Sequence, residues 1–112
     1  MKIYGLKNCD TCRRAHKALA AAGHDVELID VKKTGITPEL LERFSLVFGP
    51  DLVNRRSTTW RKLSEEERQG KPVELMLAHP SLMKRPVILE DGGLLTLGWG
   101  KEEQKHWGVK DA

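Results

Sequence analysis

Two cysteines, Cys9 and Cys12, are the only thiols in a chain of 112 residues, and they are spaced C-x-x-C. Two thiols so close in sequence serve thiol–disulfide exchange, metal binding or a redox switch. The flanking stretch Tyr4-Gly5-Leu6-Lys7-Asn8-Cys9-Asp10-Thr11-Cys12-Arg13-Arg14 narrows the choice. A closed zinc site needs four ligands; only His16 is near, and His24, His79 and His106 are scattered. Haem attachment needs His after the second cysteine, where Arg13 stands. Thiol chemistry without a metal is therefore expected. Lys7, Arg13 and Arg14 add positive charge that favours a thiolate.

The elements around the cysteines decide how reactive they are. A short apolar run at residues 2–6 reads as a strand, and an Ala-, Arg- and Lys-rich helix over about 11–22 follows. The thiols fall in the turn between them. There, unpaired N–H groups and the positive end of the helix dipole favour a thiolate by about 0.3–1 kcal/mol from the dipole alone. Cys9 is the expected nucleophile. Cys12, one turn further in, is either a resolving or sensing thiol or a passive one. Asn8 and Thr11 are expected to hold the turn through side-chain bonds to the backbone, or Thr11 to help cap the helix.

Gly23 is expected to end this helix, and a second strand covers Asp25 to Val31, with a right-handed crossover between parallel strands. Thr37 and Pro38 open a helix carrying Leu40, Leu41, Phe44 and Phe48, stopped at Gly49-Pro50. From Asp51 to His79 no strand is expected. Asn54 to Lys62 is polar and basic, Ser64-Glu65-Glu66-Glu67 is a capping box, and Pro72 to Pro80 bounds another helix. Val87 to Glu90 and Leu94 to Leu97 flank the turn Asp91-Gly92-Gly93 as a hairpin, and a short helix over about 101–107 follows. The order is β-α-β, a helical section over about 37–80, then β-β-α.

At 39% hydrophobic and 31% charged residues, with a net charge of +3, the chain has the composition of one soluble domain. No apolar run approaches a membrane span and the start has no signal-peptide core, so a cytoplasmic setting is expected. The basic pairs are too few for a nucleic-acid-reading element. Trp60 and Trp99 are expected in packing and Arg55 in solvent.

The C-x-x-C after a first strand, Arg56 before Ser57-Thr58-Thr59-Trp60-Arg61-Lys62-Leu63, and His79-Pro80-Ser81-Leu82-Met83-Lys84-Arg85-Pro86-Val87-Ile88 together resemble the arsenate reductase (ArsC) family over nearly the whole chain. Asn8-Cys9-Asp10-Thr11 and Thr58 to Leu63 look most like its YffB-type thiol reductases. The resemblance implies an α/β thioredoxin-like fold with a mixed sheet and a helical insertion, in one domain over 1–112. It implies Cys9 as nucleophile, with Cys12 beside it in the catalytic pair, Arg56 and Arg85 as anion-binding residues, Asn8, Thr11 and Pro86 with them at the substrate site, and a cis bond at Pro86 facing Cys9. It also implies glutathione or glutaredoxin as co-reactant, a disulfide or small-molecule substrate, and no tightly bound cofactor. Two departures stand out. Arsenate-reducing members carry a third arginine where this chain has Thr96-Leu97-Gly98-Trp99. Cys12 stands where they have Ser, as in Spx-type regulators, whose resemblance implies instead a redox switch that binds RNA polymerase.

Overall fold

The structure, a computed structural model, describes residues 1–109. It divides into two compact units, residues 1–30 with 85–109 and residues 31–84.

The first unit holds the sheet. β1 (Lys2–Gly5) pairs in parallel with β2 (Glu27–Asp30) and antiparallel with β3 (Val87–Leu89), which pairs antiparallel with β4 (Leu95–Leu97). The order β2-β1-β3-β4 puts the first strand in the interior, directly before the cysteine turn. Its buried residues Ile3, Tyr4 and Gly5 run without polar interruption, as a strand covered on both faces requires. α1 (Asp10–Ala21) turns Cys12, Ala15 and Leu19 inward at i, i+3 and i+7 spacing, and Gly23, at φ 95°, ends it. Ile3, Ala15, Leu19, Ile88 and Trp107 form one apolar cluster. Trp107 follows α6 (Lys101–His106); its indole N–H donates to Thr96 Oγ1 at 2.9 Å. This is a thioredoxin-like arrangement, the fold class expected from the sequence.

The second unit is helical: α2 (Pro38–Phe48), α3 (Thr58–Lys62), α4 (Glu65–Arg68) and α5 (Pro72–Ala78), with α2 packed on α5. Val31, Leu41, Phe44, Leu52, Met76, Leu82 and Met83 are among its fully buried side chains. Both halves of the capping box at Ser64 are formed. α3 was not legible in its polar sequence. Ser57 caps its start through the Trp60 N–H, and Arg68 donates to the Trp60 and Arg61 carbonyls at its end. Arg55 is not simply solvated: it donates to the Pro50 carbonyl at 3.0 Å and lies 5.4 Å from the Trp60 ring centroid, with Arg68 at 5.5 Å. The strands are shorter than the sequence suggests. Glu90 and Leu94 belong to the hairpin turn, where the Glu90 N–H donates to the Leu94 carbonyl.

Candidate active site

The cysteine turn is built from backbone. The Cys9 N–H donates to the Leu6 carbonyl at 3.1 Å, and the Lys7 N–H donates to Asp30 Oδ2 at 3.0 Å. Asp30, at the end of β2, is a buried carboxylate, 4% exposed. It ties the turn to a strand 23 residues away. The sequence marks it only as one of three acidic residues in the segment Asp25 to Val31. Asn8 and Thr11 do not do this work. Asn8 is exposed, with no side-chain hydrogen bond among the described residues. Thr11, inside the first turn, has its hydroxyl 3.5 Å from an Arg14 nitrogen and caps nothing. Steric placement decides the outcome: the extended residue before the helix is Cys9, so Cys9 is the N-cap.

The two thiols differ. Cys9 is half-buried and Cys12 fully buried. Burial pushes the Cys9 thiol up, but the Cys12 backbone N–H, the Cys12 side chain and the Arg85 guanidinium outweigh it, and the net direction is down. Each of these donors stabilises the thiolate and not the thiol. For Cys12 burial comes first and the neighbouring Cys9 sulfur adds to it, raising its pKa to about 11. Cys12 is thus a neutral hydrogen-bond donor at physiological pH while Cys9 is the acidic thiol of the pair.

Gly5 makes this packing feasible. A Cβ there would stand 2.4 Å from Cys12 Sγ and 3.9 Å from Arg85 Cβ. Only a residue without a side chain lets β1 pass under the buried sulfur. The Arg85–Pro86 bond is cis, Pro86 is buried, and Arg85 is half-buried beside both sulfurs. Cys9, Cys12, Arg85 and Pro86 therefore come together within the first unit. Arg56 belongs to the second, where its side chain is exposed and its backbone N–H donates to Asn54 Oδ1. Gly98, where the third arginine would fall, has φ 92°, a conformation that favours glycine. Among the described residues no cluster of three or more His, Cys, Asp or Glu could hold a metal, and no helix is long and apolar enough to cross a membrane.

A thioredoxin-like sheet with an acidic thiol at the N-cap position of the first helix, an arginine beside it and a cis-proline next to that arginine defines a class of thiol-reactive proteins. Comparison with known proteins agrees: the model of the ArsC family matches residues 4–106, and this chain belongs to that family, one of thiol oxidoreductases and arsenate reductases. An uncharacterised protein of Haemophilus influenzae is 39% identical over 106 residues, covering 90% of this chain and 92% of that one. Among solved structures, a YffB protein superposes with a TM-score of 0.84 at 35% identity, covering 94% of this chain and 96% of its own. An arsenate reductase (ArsC) related protein from Brucella melitensis is 40% identical with a TM-score of 0.71, covering 96% and 92%.

Proposed function

We propose that this protein is a glutathione-dependent thiol–disulfide oxidoreductase with Cys9 as its nucleophile. The observation that carries the reading is the asymmetry of the two thiols: Cys9 is drawn toward thiolate by Cys12 and Arg85, while Cys12 is buried and held at about 11. A thiolate is the attacking species in disulfide exchange. Cys9 Sγ attacks one sulfur of a substrate disulfide. The S–S bond breaks, its electron pair leaves on the other sulfur, and Cys9 is left in a mixed disulfide. Glutathione thiolate then attacks that bond, reducing the protein and carrying the oxidising equivalent away as a disulfide. Arg85 holds an anionic group of the incoming thiol, and the Cys12 S–H stabilises the Cys9 thiolate each time it leaves.

Arsenate is expected to be a poor substrate. The segment Thr96 to Trp99 supplies no guanidinium, and one charge-assisted hydrogen bond is worth roughly 1.5–3 kcal/mol, about ten- to a hundredfold in rate. The test is steady-state reduction of a glutathionylated peptide with glutathione and a recycling reductase, run beside glutaredoxin-coupled arsenate turnover. Peptide reduction that is lost in Cys9→Ser and retained in Cys12→Ala supports the reading. Efficient arsenate turnover with inert peptide would replace it.

A further inference from the structure

One concave surface of the first unit lies outside the thiol pair. It is a groove of about 540 Å³ between α1 and the free edge of β2, lined by Lys7, Arg13, His16, Val26, Glu27 and Leu28. Two of its lining residues, Lys7 and Arg13, flank Cys9 in the sequence. Cys9, Arg13 and His16 follow one another at i, i+4 and i+7, so they share a helix face. At 1.5 Å per residue Arg13 stands about 6 Å and His16 about 10.5 Å along the axis from Cys9. Val26 and Leu28 supply its apolar part, and His16 Nε2 lies 3.3 Å from the Val26 carbonyl.

The charges on its walls are unequal in their partners. Arg13 is ion-paired with Asp10. Lys7 and Glu27 are both exposed, and neither side chain makes an ion pair or hydrogen bond among the described residues. A lysine and a glutamate lining one groove, not paired with each other, complement a ligand that carries both charges. A small apolar-bodied ligand with a carboxylate and an ammonium at one end would bridge them, its carboxylate at Lys7 and Arg13 and its ammonium at Glu27.

We infer that this groove receives the zwitterionic γ-glutamyl end of the thiol that resolves Cys9. The inference rests on the glutathione reading above and assigns the ligand's charged end to residues outside the thiol pair. The groove discriminates among thiols, while Arg85 serves the end nearest the sulfur.

The test compares two thiols that differ by the γ-glutamyl group alone, glutathione and cysteinylglycine, in resolving a Cys9 mixed disulfide. Exposed ion pairs give a few-fold each, so a preference of roughly fivefold or more for glutathione is expected, collapsing toward unity in Glu27→Lys and in the Lys7→Glu, Glu27→Lys double variant. The ratio within each variant is the readout, which cancels changes in Cys9 itself. Equal rates for the two thiols in the unaltered protein overturn the groove assignment and leave thiol exchange standing. No turnover with either thiol overturns the exchange reading itself. A second measurement does not depend on turnover. Titration with S-methylglutathione should shift the backbone amides of Lys7, Arg13, His16 and Val26 to Leu28, and S-methylcysteinylglycine should not. Identical shift patterns for both probes, or none in the groove, would falsify it.

Discussion

Two helices of similar length begin in different ways. α2 starts from Thr37, whose hydroxyl accepts from the Leu40 N–H at 3.2 Å, with Pro38 next. α1 starts from Cys9, also extended at φ −91° and ψ 121°, but with no side-chain capping hydrogen bond. A hydroxyl or carboxylate cap contributes about 0.5–2 kcal/mol, and α1 forgoes it. What it gains is the Cys12 backbone N–H turned toward a sulfur, so that the cap forms when the thiol ionises. α2 is supported by its own first turn. α1 is supported from afar, by Asp30 on the turn, by Gly5 under Cys12 and by Arg85 beside Cys9. A helix start used for chemistry must find its rigidity elsewhere in the chain.

The sharpest way to break this comparison is to give α1 an ordinary cap. Cys9→Ser should reduce thiol exchange to background while adding about 0.5–1 kcal/mol of stability, read as a higher urea midpoint at unchanged slope. A less stable variant would show that the sulfur already caps as well as a hydroxyl.

Gly5→Ala comes next. A methyl 2.4 Å from Cys12 Sγ forces the strand or the sulfur to move. The cost of such overpacking is about 1–3 kcal/mol. Because Cys12 donates to Cys9, the ultraviolet thiolate titration of Cys9 should move upward as well. Unfolding that is weakened with an unaltered titration would separate the packing of Cys12 from its effect on Cys9.

Thr37→Ala is the control in the other helix. It should cost about 1 kcal/mol and leave the Cys9 titration where it was.

The pH dependence is the finest test and has no effect on stability near neutrality from Cys12. The folded pKa of Cys12, about 11, lies above the roughly 8.5 of an unfolded cysteine. Stability due to its neutral form is complete below about pH 8.5 and is lost as pH rises toward 11. Cys9, lowered in the folded state, works the other way: its contribution is present above the unfolded value and is lost as pH falls through its folded pKa. Cys12→Ala should therefore flatten the alkaline limb of an unfolding profile. Arg85→Gln should move the rise of the exchange rate with pH upward, toward the position of an ordinary cysteine.

What the sequence determined by itself is local. The extended run before Cys9, the inward positions Cys12, Ala15 and Leu19, the Thr37-Pro38 start, the Ser64 capping box and the Asp91-Gly92-Gly93 turn each arise from a few neighbouring residues. Caps, periodicity and turns act over one or two turns of chain, so they can be read in order. α3 escaped because its stability comes from Arg68, outside the segment, and from no apolar stripe within it. Tertiary structure alone decided which groups face the sulfurs. That Asp30 would hold the turn and that Gly5 would pass under Cys12 depends on β1 lying between β2 and β3. The physical reason is distance along the chain: Cys12 and Leu6 act on the thiols from within the turn itself, whereas Asp30 reaches Lys7 from 23 residues away and Arg85 reaches the sulfurs from just before β3, and strand order brings them in.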